Sequence, residues 1–190
     1  MPHLLSAMAS RGRYGRVVPH VAGDVLELGC GVGRITELVP AGQITSYSGV
    51  DHDERVLAEA KQRHPEGRFA QVDLDDDPLI EGPFDVVLMV ALIEHVYNQK
   101  HLFTQAREAL RPGGRIVLTT PTPFGNDVVH RMAAEVGLLA KAAVEDHVVV
   151  YNKRRFQTLA SDLNLELSRY RRFQLGCNQL VVLRRPDASS

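Results

Sequence analysis

A short apolar run that ends in three alternating glycines constrains this chain more than any other feature. Residues 24–28 (DVLEL) read as a strand, and Gly29-Cys30-Gly31-Val32-Gly33 follows at once. Glycine tolerates the positive φ of a tight turn and lets a ligand approach the backbone closely. A helix is expected to open near Gly33, with unpaired N–H groups and the positive end of its dipole at the turn. Strand and helix then alternate. Residues 44–50 (ITSYSGV) form a second strand closed by Asp51, and residues 54–63 a helix with Val56, Leu57 and Ala60 inward. Residues 68–72 form a third strand, before an acidic turn at 73–77. Residues 84–90 (FDVVLMV) are almost wholly apolar, as in a central parallel strand covered on both faces.

The helix expected at 99–110 spaces Leu102, Phe103, Ala106, Ala109 and Leu110 along one side, and Pro112-Gly113-Gly114 stops it. Residues 115–120 (RIVLTT) are the fifth strand. A lid-like insertion occupies 122–151, with a helical stripe at 127–144. A helix at 152–163 then precedes two strand-like runs, 165–173 and 178–184, with Leu175-Gly176 between them. So short a turn joins antiparallel strands. Strand–helix alternation implies right-handed crossovers. The expected fold is therefore α/β: a doubly wound, Rossmann-like, seven-stranded, mostly parallel sheet with a C-terminal antiparallel hairpin and helices on both faces. It forms a single domain over residues 1–190, with an N-terminal helix at 1–19.

The formal net charge of -1 argues against a sequence-independent electrostatic grip on nucleic acid. Cys30 and Cys177 form no paired motif, so neither a zinc site nor a disulfide framework is suggested, and a cytoplasmic setting is expected. No apolar run approaches the roughly 20 residues of a membrane span, and residues 1–10 lack the pattern of a signal peptide.

Asp51 lies 18 residues after Gly33 at the end of the second strand, where a carboxylate can accept both hydroxyls of a ribose. The alternative is that Asp51 or Asp53 caps the following helix. The turn reads GxGxG rather than the GxGxxG of nicotinamide dinucleotide sites, and the terminal hairpin has no role in such a fold. Five segments together point elsewhere: VLELGCGVGRIT at 25–36, Gly49-Val50-Asp51, Val72-Asp73-Leu74, FDVVLMVALIEHV at 84–96 and LRPGGRIVLTTPTPFG at 110–125. With them, about residues 14–184 resemble the class I S-adenosylmethionine-dependent methyltransferases of the small-molecule type. The resemblance implies that Glu27 bonds the amino-acid end of S-adenosylmethionine, while Gly29, Cys30, Gly31 and Gly33 form the floor. It implies that Asp51 holds the ribose, His52 flanks the adenine, Asp73 and the Leu74 amide read the adenine edge, and Val90 lies beside the sulfonium. S-adenosylhomocysteine would be the product.

Methyl transfer from a sulfonium is an in-line displacement, so few catalytic groups are needed beyond alignment and proton removal. Glu94 and His95, just past the fourth strand, are the leading candidates, since histidine titrates near neutrality. His147, before the last long helix, is a second candidate base. Phe124 and His130 are candidates to line an acceptor pocket. Some RNA and quinone methyltransferases carry a similar ExxEH segment that helps bind a divalent metal. Here Ala91 replaces its first glutamate, and no metal is expected. Arg11, Arg13, Tyr14 and Arg16 form either a solvated basic helix face or a group that reaches the methionine carboxylate. Arg169, Arg171 and Arg172 read as a charged edge strand. The expected activity is methyl transfer to an O or N atom of a small-molecule acceptor, by a monomer or homodimer that contacts no membrane. The alternatives are a catalytically inactive cofactor-binding partner protein and an RNA methyltransferase.

Overall fold

A computed structural model describes residues 2–125 and 150–188, with side chains from residue 10. Of the insertion expected at 122–151, only residues 122–125 and 150–151 are among them; the helical stripe at 127–144, His130 and His147 lie outside the described residues. In chain order the elements are α1 (Pro2–Val17), a 3₁₀ turn (Val18–His20), β1 (Gly23–Leu28), α2 (Ile35–Leu38), β2 (Ile44–Asp51), α3 (Glu54–Arg63) and β3 (Arg68–Gln71). Then come β4 (Phe84–Val90), a second 3₁₀ turn (Ile93–His95), α4 (Gln99–Ala109), β5 (Leu110–Pro121), α5 (Lys153–Asp162), β6 (Glu166–Phe173) and β7 (Asn178–Arg184).

The strands form one seven-stranded sheet in the order β3-β2-β1-β4-β5-β7-β6. The first five strands run parallel, and β7 lies antiparallel to both β5 and β6. This is the expected doubly wound sheet with a terminal hairpin. Its strand order reverses between β1 and β4, the place where open α/β sheets leave a crevice at the carboxyl ends of their strands.

Side chains alternate between the two faces, as the pleat requires. Leu26, Leu28, Val87, Met89, Ile116, Leu118, Val181 and Leu183 pack with Phe103 of α4 and Phe156 of α5. Val25, Val86, Leu88, Val117, Leu180 and Val182 pack on the other face with Val17 of α1 and Ile35 of α2. Phe103 is fully buried. Phe103→Ala is expected to cost about 3–5 kcal/mol of unfolding free energy, measured by urea denaturation at unchanged slope.

Two local expectations need correction. The helix after the glycine turn is a single turn, Ile35–Leu38, because residues 31–34 are spent on the turn itself. Its dipole is correspondingly small, and the turn's own backbone shapes the site. Secondly, Pro112-Gly113-Gly114 does not follow the helix end directly. Helix α4 stops at Ala109, and the three residues lie inside β5, where the register with β4 jumps from Leu110 to Arg115. Proline acts upstream here: its ring would collide with the carbonyl four residues back, and it turns the residue before it away from helix.

Candidate functional site

The carboxyl ends of β1, β2 and β4 surround a cavity of about 460 Å³, lined among others by Gly29, Asp51, His52, Asp73, Leu74 and His95. The structure thus brings together six residues singled out from four separate sequence segments. Gly29 and Gly31 both have positive φ, 65° and 53°. A Cβ at Gly29 would come within 2.8 Å of Leu92 Cδ1, whereas at Gly31 it would meet nothing within 4 Å. One glycine lets the turn pack against the fourth-strand loop, and the other leaves open space above the turn.

Asp51 ties this floor together. Its Oδ2 accepts from the Gly31 amide at 2.9 Å and its Oδ1 from the Asp53 amide at 3.1 Å. His52 Nδ1 lies 3.2 Å from the same Oδ1, with the ring otherwise in solvent. Each carboxylate oxygen has two lone pairs, so acceptor capacity remains toward the cavity. The helix-capping role belongs to Asp53, which accepts from the Arg55 amide at 2.9 Å. Asp73 organises the acidic turn: its Oδ1 accepts from the Asp75 amide at 3.0 Å, and its own amide donates to Asp77 Oδ2 at 2.9 Å.

Glu27 is wholly buried on the α1 side of β1. Its Oε2 accepts the Tyr47 hydroxyl at 2.6 Å, while Oε1 is buried with no partner. Burial, with a smaller contribution from the Asp51 charge, pushes its carboxyl pKa up to about 8. A buried carboxylate oxygen without a donor is costly. Tyr14 of α1 is close enough to feel the Glu27 charge, and burial raises its hydroxyl pKa. Arg34 lies over the Tyr14 ring at 5.9 Å. Arg13 Nε is also buried without a partner. Tyr47 thus holds the second Glu27 oxygen. The Tyr47 contribution is missed by a strand-by-strand reading, although the alternation of β2 does place it on the Glu27 face, opposite Val25 in register.

Glu94 and His95 are neighbours in sequence but not in role. His95 is exposed on its 3₁₀ turn and lines the cavity. Glu94 is buried and accepts the Thr120 hydroxyl at 2.9 Å, which pins the turn to β5. Val90 is half-buried at the end of β4, and Ala91 after it adopts a φ of 52°, a left-handed conformation that costs a non-glycine residue about 1–2 kcal/mol. Cys30 is buried, its sulfur packed where a Cβ on Gly49 would stand, and burial raises its thiol pKa to about 12. Gly33 closes the turn, its amide donating to Cys30 O at 2.9 Å. Among the described residues no cluster of three or more His, Cys, Asp or Glu side chains is placed to hold a metal ion, and no helix is long and apolar enough to cross a membrane.

Comparison with known proteins agrees with this geometry. A family model described as a methyltransferase domain matches residues 5–169. A probable S-adenosylmethionine-dependent methyltransferase of Mycolicibacterium smegmatis is 35% identical over 109 residues, which cover 57% of this chain and 42% of that protein. Trans-aconitate 2-methyltransferase of Delftia acidovorans is 31% identical over 127 residues, 64% of this chain and 46% of that enzyme. The chain thus spans less than half the length of these curated relatives. The crystal structure of an S-adenosylmethionine-dependent methyltransferase from Mesorhizobium loti superposes with a TM-score of 0.71 over 90% of this chain and 95% of that one, at 19% identity, which is a likeness of fold.

Proposed function

Because this chain belongs to the S-adenosylmethionine-dependent methyltransferase family, we propose that it transfers a methyl group from that cofactor to an oxygen or nitrogen atom of a small-molecule acceptor. The observation that carries the reading is the cavity that gathers Gly29 of the glycine turn with Asp51, Asp73 and the Leu74 segment; the buried, partnerless Glu27 Oε1, on the strand that leads into that turn, supports it. These groups match the polar outline of the cofactor. Glu27 Oε1 would take its ammonium, Arg13 its carboxylate, Asp51 its ribose hydroxyls, and Asp73 with the Leu74 amide its adenine edge. When bound, the cofactor supplies a methyl group made electrophilic by the sulfonium that carries it. Leu92 and Val96 provide apolar cavity wall that excludes water. His95 holds the position of a base that would accept the acceptor's proton. Glu94 acts on it at one remove, by anchoring its turn through Thr120. His147 stays a second candidate base. One relative is named for trans-aconitate, a small acid, which favours a small acceptor over a polymer.

The test is formation of S-adenosylhomocysteine with a panel of small carboxylic acids, phenols, alcohols and amines. His95→Gln is expected to leave cofactor affinity within about threefold and to lower turnover at least a hundredfold, the usual contribution of a positioned base. Cofactor binding without turnover of any acceptor would favour an inactive partner protein. Full turnover by His95→Gln would move the base elsewhere.

A further inference from the structure

At the opposite end of the sheet, where the parallel strands begin, lies a second polar cavity of about 460 Å³ lined by His20, Gly113, Arg115, Ser168, Arg169, Val182 and Arg184. Three of its arginines share a sheet face because of one irregularity. Arg115 and Arg184 stand directly opposite each other in the β5–β7 register. In β6 the register runs Leu167 to Leu183 and then Arg169 to Val182, which leaves Ser168 as an extra residue. Its hydroxyl donates to the Val182 carbonyl at 3.1 Å. A bulge of this kind re-aims the side chains beyond it. Without it, Arg169 would share the face of Leu167, against α4 and α5. With it, Arg169 joins Arg115 and Arg184 on the face of α1, next to His20.

The charges gathered there are poorly compensated. Arg184 has two acidic neighbours, Asp187 at 2.7 Å and Glu166 opposite it in register. Among the described residues neither Arg115 nor Arg169 makes an ion pair. Arg115 Nε is buried with no hydrogen-bond partner. Burial depresses the His20 pKa, and the fields of Arg169 and Arg115 depress it further, so both guanidinium groups act on this ring. Guanidinium forks suit the oxygens of a phosphoryl group, which they bind with two parallel bonds. The cavity has the volume of a small-molecule site rather than of a polymer groove.

We propose that this cavity, bounded by His20, Arg115, Ser168, Arg169 and Arg184, binds the phosphoryl group of a small molecule at a site separate from the cofactor cavity. The experiment is calorimetric titration of the whole chain with pyrophosphate at low salt, with the His20 ring protons followed by NMR across pH. Saturable one-to-one binding is expected, with the His20 titration midpoint moving up at saturation, because the bound anion offsets the guanidinium fields. Arg169→Gln, an exposed edge position, is expected to weaken binding at least tenfold, and the double variant with Arg115→Gln to abolish it. S-adenosylmethionine affinity should stay unchanged in both, whichever acceptor the chain methylates. Four outcomes would overturn the proposal: no saturable binding by the wild type, a motionless His20, competition with S-adenosylmethionine, or undiminished binding by folded Arg169→Gln. Binding of a short RNA without binding of pyrophosphate would overturn it as well, in favour of a polymer surface.

Discussion

Asp51→Asn is expected to weaken S-adenosylmethionine binding about a hundredfold. Hydrogen bonds to a charged group are worth about 1.5–3 kcal/mol each, and two ribose hydroxyls donating to one carboxylate bring the sum to about 3 kcal/mol or more. Asparagine keeps the shape but turns an NH₂ toward one of two amides, Gly31 or Asp53, that now donate to Asp51. Part of the loss will therefore come from a loosened turn, which a thermal melt of the free variant reports separately. Asp53→Asn removes a charge from the exposed helix cap two residues away and should bind the cofactor within about twofold of wild type by the same calorimetry. Affinity retained within threefold in Asp51→Asn would detach the ribose from this residue.

Glu27→Gln should separate stability from binding. The carboxyl pKa of about 8 in the fold compares with 4.5 for the free side chain. Between these values the folded chain holds one more proton than the unfolded chain. The stabilisation from this group is therefore complete below pH 4.5 and is lost progressively as pH rises to about 8. Glutamine does not titrate, so the variant should gain on the wild type across that window. It should be the more stable protein at pH 8, by at least about 1 kcal/mol, the free energy of a single pKa unit. Denaturant melts at pH 5 and pH 8 check the sign: a gap that fails to open with pH would contradict the assignment. Cofactor binding should move the other way. Glutamine offers the ammonium a neutral oxygen in place of a charge, and affinity is expected to fall at least tenfold. For the wild type at pH 6–7, binding should release a proton, seen as a heat that depends on the ionisation enthalpy of the buffer. The site is thus kept ready at the expense of the fold, as strained or uncompensated functional groups commonly are.

The parallel sheet was legible because its signals are local. Residues 84–90 read as a buried strand, residues 54–63 as an amphipathic helix, and both occur at those bounds. The hairpin followed from the brevity of its turn. What failed was also local, but depended on competition: the residues after Gly31 could extend a helix or a turn, and the turn's contacts with β2 and the fourth-strand loop decided for the turn. At the site, the order of Gly29, Asp51 and Asp73 in the chain was enough to nominate them. It was not enough to separate Glu94 from His95, because adjacent residues on a 3₁₀ turn point in different directions, one to Thr120 and one to the cavity.

The sequence alone thus determines the class of fold and the cofactor, and nominates the strand ends proposed to hold it. Hydrophobic periodicity and glycine placement act through near neighbours and need no knowledge of the rest of the chain. Tertiary structure alone decides the states and pairings that need distant partners. It joins Glu27 to Tyr47 across two strands, leaves one Glu27 oxygen without a donor, and anchors Glu94 on β5. It also gathers Arg115, Arg169 and Arg184 through one extra residue in β6. Burial and charge compensation are sums over everything that packs around a group, and no segment of sequence contains that sum.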